Sequence, residues 1–247
     1  MTVNLRTSFE GDGYVFCKSF VDVQEILQNL DRFIREVVPG MPPELVFFED
    51  KSQADSLKQL QLLHENDAFF RQLANGGPFR ELAELLLGES VVCKNMQYFN
   101  KPPQIGQPTP AHQDGFYFKL DPPQALTMWL ALDDVDEENG CVRYVPGSHL
   151  QGMRDHGSTG TLGFSQGITD FPSAKDLQNE VAFPAQPGDL LAHHALTIHR
   201  ADGNRSETRT RRALGFIYYG ESAKLDVQAY EKYQRELKEK LQRENKI

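Results

Sequence analysis

The sequence predicts a mainly β protein with flanking helices, a double-stranded β-helix of the jelly-roll, cupin-like kind. Three observations carry that expectation. Short apolar runs of strand length recur at 91–100, 125–132, 141–145, 180–183, 189–194 and 212–219, with Gly, Pro, Asn and Asp between them. No helix-length pattern separates most of these runs, which disfavours a parallel doubly wound sheet and favours antiparallel sheets packed face to face. Helical periodicity instead gathers toward the two ends of the chain.

Taken in order, a short strand at 13–16 precedes the first long helix. Asp22 with Glu25 three residues on resembles a capping box, and Val23, Ile26, Leu27, Leu30, Phe33, Ile34 and Val37 follow at helical spacing until Pro39-Gly40 ends the run. Shorter helical patterns are expected at 53–63, 67–73 and 78–87, the last closed by Gly88. The six strand runs come next. Residues 151–177 are rich in glycine (152, 157, 160, 163 and 167) with little periodicity, and read as a long loop or lid. From Asp226 onward Tyr230, Tyr233, Leu237 and Leu241 form one apolar stripe, and Glu231/Arg235, Glu236/Lys240 and Glu239/Arg243 sit at helix-stabilising spacing. The expected organisation is one domain over 1–247, with mostly helical support at 1–89, a jelly-roll core at 90–220 and a C-terminal helix at 221–247.

Composition narrows the function. The 247 residues carry 26 Lys+Arg against 35 Asp+Glu, a formal charge of −9, with 39% hydrophobic and 25% charged residues. These are globular proportions, and so acidic a chain is not built for broad nucleic-acid binding, which needs cationic surface. Cys17, Cys93 and Cys141 are odd in number and form no C-x-x-C pair, so neither a disulfide framework nor a thiolate zinc site is expected. No apolar stretch approaches the length of a membrane span, and the reading is a cytoplasmic protein with no membrane partner.

The chemistry begins at Pro110-Ala111-His112-Gln113-Asp114-Gly115, where a His and an Asp two apart would share one face of a strand. Alone this pattern is weak. Downstream, the run from Asp189 reaches His193, His194 and His199, and the next residues hold Arg200, Arg205, Arg209, Arg211 and Arg212 against only Asp202 and Glu207. Two imidazoles and one carboxylate on one face of a metal form the facial triad of non-haem Fe(II) oxygenases, which leaves positions open for a 2-oxo acid and O₂. The far carboxylate of 2-oxoglutarate then calls for an arginine, whose planar fork suits it better than lysine.

At these residues the chain resembles the phytanoyl-CoA dioxygenase family of Fe(II)- and 2-oxoglutarate-dependent oxygenases. The resemblance runs from Phe9-Glu10-Gly11-Asp12-Gly13-Tyr14 to Tyr219. It is densest in PAHQDGFYF, ALTMWLALDDVDEENGCVRYVPGSH, QPGDLLAHH and HRADGNRSETRTRRA, with the stretch from Glu138 to His149 the most specific. It implies His112, Asp114 and His199 as iron ligands, with His193 and His194 as runners-up for the third. It implies Arg211, ahead of Arg209, as the 2-oxoglutarate arginine, and Trp129 and Met96 as further cosubstrate-pocket residues. A serine usual two residues after the last His is Ala201 here. The reaction implied is oxidative decarboxylation of 2-oxoglutarate to succinate and CO₂, using O₂ and hydroxylating a C–H bond of a small molecule. Asp114 stands where halogenating relatives carry a small residue, which favours hydroxylation.

Other residues read more quietly. His149 is expected to be structural, and the acidic run from Asp133 to Glu138 a solvated loop without calcium-binding spacing. Strand alternation after His112 would aim Phe116, and Phe118 with it, at the cavity, and Arg154 in the glycine-rich loop could meet an anionic substrate. The competing reading is a jelly-roll binding or regulatory protein that keeps the metal site without turnover. A cupin-like enzyme without a 2-oxo acid would need an H-x-H pair, which the sequence lacks.

Overall fold

A computed structural model describes residues 2–161 and 164–243. Gly163, the tail 244–247 and the side chains of Lys240 and Leu241 lie outside the described residues. Helix α1 (Thr2–Asp12) leads into β1 (Tyr14–Cys17), followed by α2 (Gln24–Glu36), β2 (Val46–Phe48) and β3 (Leu57–Leu60). Three helices follow: α3 (Leu63–Asn66), α4 (Ala68–Asn75) and α5 (Gly77–Leu87). The chain continues through β4 (Val91–Lys101), β5 (Thr109–His112), α6 (Gly115–Phe118), β6 (Leu120–Asp121), β7 (Ala125–Ala131) and β8 (Val142–Tyr144). It ends with β9 (His156–Thr161), β10 (Phe164–Ile168), α7 (Ala174–Asn179), β11 (Val181–Phe183), β12 (Leu190–His194), β13 (His199–Ala201), β14 (Arg211–Gly220), β15 (Lys224–Leu225) and α8 (Val227–Arg243).

Two antiparallel sheets define the jelly roll. The larger has the order β1-β12-β7-β14-β4-β3-β2 and the smaller β11-β8-β13-β5. Period-two alternation divides the larger sheet cleanly. Met96, Tyr98, Met128, Leu130, Leu214 and Phe216 point to one face and pack on Ile26, Leu30 and Phe33 of α2, Phe70 of α4 and Phe79 of α5. Phe79 stacks on Phe216 with centroids 4.3 Å apart. The opposite face carries Gln97, Lys101, Thr127, Trp129, His193 and Arg211 into a cavity between the sheets. At Gly215 a Cβ would meet the Phe99 ring at 2.6 Å, so only glycine lets that ring lie across β14.

Several local expectations change. Asp22 accepts from the Gln24 backbone N–H at 2.9 Å, but the N-cap of α2 is Val23 without a side-chain cap, so no capping box forms. The stretch 53–63 is not a helix. It contains β3, whose four residues are all buried because they pair between β2 and β4, and burial on both faces hides the period of two. Residues 151–177 are not one loop either, since β9 and β10 pair as a hairpin and α7 follows under a Ser173–Asp176 capping box. Helix α4 starts on an Asp67 cap, and α5 ends on Gly88 in the left-handed conformation, as the turn residues predict. Among the described residues, no helix is long and apolar enough to cross a membrane.

Candidate active site

The H-x-D pair does not lie along one strand. His112 is the last residue of β5 and Asp114 is the N-cap of the single turn α6, so the chain bends between them. His199 opens β13 and is the register partner of His112 in β5. The pairing sets their rings 4.1 Å apart. One ligand atom from each of His112, Asp114 and His199 lies within 4.8 Å of the other two.

Backbone carbonyls decide which nitrogen each ring presents. His112 Nδ1–H donates to Pro110 O at 2.7 Å, and His199 Nδ1–H donates to Thr197 O at 3.0 Å. Both rings therefore turn Nε2 toward Asp114 Oδ1, at 3.3 Å for His112 and 3.7 Å for His199. Asp114 Oδ2 accepts from the Thr127 hydroxyl at 2.5 Å and from His193 Nε2–H at 3.1 Å. His193 in turn accepts at Nδ1 from the Tyr144 hydroxyl at 2.8 Å. Burial pushes the Asp114 carboxyl up, but His199, His112 and His193 outweigh it and hold the group well below the usual carboxylate range. Burial, then His193 and His112, depresses His199 well below the ordinary imidazole value, so it is neutral at pH 7. Two imidazole nitrogens and one carboxylate oxygen, gathered within 4.8 Å of one another, fit a divalent iron and leave coordination positions for a bidentate 2-oxo acid.

Two of the sequence motifs act as scaffolding for this cluster. In Pro146-Gly147-Ser148-His149, Ser148 Oγ accepts from the backbone N–H of Ile198, the residue before His199, at 2.8 Å. His149 meets Glu10 O at 3.1 Å and is structural as expected. In Glu138-Asn139-Gly140-Cys141, Gly140 adopts φ +89° and its carbonyl accepts from Arg211 Nε at 3.0 Å. Asn204 is buried and ties the β13–β14 loop to the carbonyls of Lys101 (2.8 Å) and Arg209 (2.7 Å).

The arginine-rich stretch is mostly neutralised, and the acidic run does much of that. Arg212 pairs with Asp133 at 2.7 Å, and Arg209 with Asp136 at 2.8 Å and Glu138 at 2.6 Å. Arg200 pairs with Glu180 and Asp202, each at 2.6 Å. Arg211 is different. It is buried in the cavity wall, its guanidinium lies 5.1 Å from the Trp129 ring centroid, and among the described residues no carboxylate pairs with it. Burial lowers it to about 10, which leaves it charged at neutral pH. Lys101, its register partner, is buried as well, with Nζ donating to the Gln107 carbonyl and to Thr109 Oγ1. Thr109 in turn pairs with Ala201.

Four expected site residues are placed differently from their sequence reading. Met96 is fully buried among α2, α4 and α5 on the helix-covered face, one residue out of phase with the cavity. Phe116 does not line the cavity, because α6 replaces strand alternation with a helical turn. It stacks on His156 at 4.5 Å, while Tyr117 and Phe118 face inward. Arg154 is engaged outside the cavity, with Asp170 at 2.7 Å and Asp176 at 2.9 Å. His194 points away, its ring 6.1 Å from Phe9. Sequence reading passed over Thr127, Tyr144, Lys101 and Thr109, and alternation along β4 and β7 was the signal that could have found the first and third.

The cavity holding this cluster has a volume of about 890 Å³ and opens between β4, β14 and α8. A jelly roll with a buried His–Asp–His cluster and a lone buried arginine in the same cavity defines a non-haem Fe(II)- and 2-oxoglutarate-dependent oxygenase. The sequence profile of phytanoyl-CoA dioxygenase matches residues 9–213, and the chain belongs to that family. It is 26% identical to the peroxisomal phytanoyl-CoA dioxygenase of Mus musculus, over 84% of this chain and 65% of that protein. It is 28% identical to phytanoyl-CoA dioxygenase 1 of Oryza sativa subsp. japonica, over 83% of this chain and 84% of that one. Among solved structures it is similar to the epimerase SnoN in complex with Fe3+, alpha ketoglutarate and nogalamycin RO (TM-score 0.71, 25% identity, 90% of this chain and 84% of that one). The fold also matches EctD from S. alaskensis with 2-oxoglutarate and 5-hydroxyectoine (TM-score 0.75, 19% identity, 92% and 78% covered).

Proposed function

We propose that this chain hydroxylates a C–H bond of a small-molecule substrate, releasing succinate and CO₂ from 2-oxoglutarate, with His112, Asp114 and His199 as the iron ligands. The observation that carries the assignment is the convergence of Nε2, Oδ1 and Nε2 while both Nδ1 atoms are tied to carbonyls. Iron in this setting supplies dioxygen activation coupled to decarboxylation of the cosubstrate.

The protein's own residues do the rest. Pro110 and Thr197 carbonyls fix the tautomers of the two imidazoles. Thr127 and His193 hold Asp114 by Oδ2, which leaves Oδ1 for the metal. Arg211, braced by Gly140 and Trp129, receives the far carboxylate of 2-oxoglutarate, and Lys101 with Thr109 completes that end of the cavity. Tyr117, Phe118, Tyr219 and Tyr233 also line the cavity and exclude water from the reacting carbon.

An anaerobic titration with Fe(II) and 2-oxoglutarate tests the reading. A weak visible charge-transfer band is expected in the wild-type protein and not in His112→Ala. Absence of the band in the wild type, or its undiminished persistence in the variant, removes the proposal.

A further inference from the structure

Gln59 on β3 and Gln97 on β4 face each other across the cavity wall, with Gln59 Nε2 donating to Gln97 Oε1 at 3.2 Å. Both side chains are buried, at 3% and 8% exposure, and both line the cavity that holds the metal cluster. Gln59 Oε1 has no hydrogen-bond partner. A buried amide left half satisfied is destabilising unless something else completes it. Nothing in the fold requires amides here: the register neighbours of Gln59 and Gln97 on the same sheet include Phe99 and Gly215, and an apolar pair would fill the wall.

We infer that the Gln59–Gln97 amide pair is a recognition site for a neutral polar group on the substrate, a carboxamide or hydroxyl carried on an apolar body. This deepens the oxygenase reading and rests on it. The charges around the pair argue for a neutral group over an anionic one. Lys58, next to Gln59, is matched by Glu49 at 2.9 Å with both side chains nearly buried. Arg200 is paired twice over. Lys101 and Arg211 belong to the cosubstrate end. Lys94, three residues along β4 from Gln97, is drawn to the Tyr219 ring, with Nζ 6.0 Å from its centroid. A carboxylate placed against the amide pair would thus be desolvated without a cation beside it among the described residues, a penalty a neutral group avoids. Two linked carboxamides expose one donor edge and one acceptor edge whichever of the two donates to the other, so a group that both donates and accepts is matched in either arrangement. The apolar body follows from the cavity lining, which includes Leu120, Ile217, Tyr219, Tyr230, Tyr233 and Leu237. Part of that wall, from α8, falls beyond the span matched by the family profile.

The test uses Trp129, the one tryptophan in the chain and a member of the cavity wall, as the reporter. Full-length protein with Fe(II) and 2-oxoglutarate under anaerobic conditions is titrated with decanamide, decan-1-ol and decanoate, following Trp129 fluorescence. Decanamide and decan-1-ol are expected to bind at least tenfold more tightly than decanoate. In Gln59→Leu and in Gln97→Leu that preference is expected to fall about tenfold, the size of one neutral hydrogen bond to a buried partner. The charge-transfer band with 2-oxoglutarate reports folding and the cosubstrate site separately, so its loss in the wild type sinks the oxygenase reading and not this step alone. Equal binding of the three probes, binding of none, or a preference unchanged in both variants overturns the inference. So does a variant that loses 2-oxoglutarate while keeping probe selectivity, because the pair then serves the cosubstrate.

Discussion

His193 donates from Nε2 to Asp114 Oδ2 at 3.1 Å, while Oδ1 of the same carboxylate lies 3.3 Å from His112 Nε2. The two oxygens of Asp114 are therefore divided between the protein and the metal position. Tyr144 completes the arrangement by donating to His193 Nδ1, which leaves the proton of His193 on Nε2. Replacing His193 with Phe removes one of the two donors to Oδ2. Affinity for Fe(II) is then expected to fall about 10- to 100-fold, the usual cost of losing an outer-shell partner. Anaerobic competition against a metallochromic dye measures it. His193→Gln, which keeps a donor at similar reach, should recover part of the loss. A Phe variant with wild-type affinity would show that Thr127 alone fixes the carboxylate.

Arg211 and Arg209 are two residues apart and face opposite fates. Arg211 is buried against Trp129, while Arg209 is partnered by Asp136 and Glu138 at the surface. Arg211→Lys keeps the charge but loses the fork, and should weaken 2-oxoglutarate binding by tenfold or more, since charge-assisted hydrogen bonds contribute about 1.5–3 kcal/mol. Arg209→Ala should leave it unchanged. Titration of the charge-transfer band with 2-oxoglutarate reads both. The reverse pattern would assign the cosubstrate to Arg209.

This contrast also shows what was legible in the sequence. The fold class and the long strands β4, β7 and β14 followed from strand spacing, and the His112, Asp114 and His199 cluster from the resemblance to the phytanoyl-CoA dioxygenase family. Residues whose environment depends on partners far along the chain did not. Phe116 was aimed inward by strand alternation, but the chain turns helical at Asp114, so Tyr117 takes that place. Arg154 read as free in a glycine-rich loop because Asp170 and Asp176, its partners, are brought to it by the β9–β10 hairpin and α7. Met96 was recoverable from sequence. It shares parity with Tyr98 and opposes Gln97 and Lys101, and that alternation alone sends it to the helices.

The Arg154–Asp176 pair makes stability depend on pH. Burial raises the Asp176 carboxyl, but the Ser173 backbone N–H, Arg154 and the Ser173 hydroxyl together lower it below its ordinary value. A depressed carboxyl contributes stability that is present above its unfolded pKa and lost as pH falls through the folded one. Thermal unfolding between pH 6 and pH 3 should show a decline that is shallower in Asp176→Asn, with the variant already less stable at pH 6. Parallel curves for the two proteins would mean that Asp176 does not contribute to the acid sensitivity.

Phe79 and Phe216 tie the helical layer to the sheet that carries the site. Both are fully buried, and their rings stack with 15° between planes. Phe79→Ala should cost about 3–5 kcal/mol of unfolding free energy, the range for emptying a buried aromatic site. Urea denaturation checks the size. At temperatures where the variant stays folded, 2-oxoglutarate affinity should be unchanged, because Phe79 packs on the face of β14 opposite Arg211. A parallel loss of affinity would mean that the sheet transmits the cavity's strain to the site.

Lys101 links cosubstrate binding to proton uptake. Burial, then Arg211 and Lys58, pulls its ammonium well below the ordinary lysine value, and Glu49 and Asp202 offset this only in part. Arg211, lowered to about 10, stays charged at pH 8. A dicarboxylate arriving at Arg211 places negative charge beside Lys101 as well, because the two are register partners across β4 and β14. An anion favours the protonated amine, so its pKa rises on binding. Above the depressed value of the free protein, binding must therefore take up a proton. Calorimetric titration of 2-oxoglutarate across a pH series, in buffers of different ionisation heat, should give enthalpies that differ with the buffer above that depressed value, in the sense of uptake. Lys101→Met should abolish that difference and also weaken binding. A buffer-independent enthalpy in the wild type would place Lys101 in one protonation state throughout, its ammonium held by Gln107 and Thr109 alone.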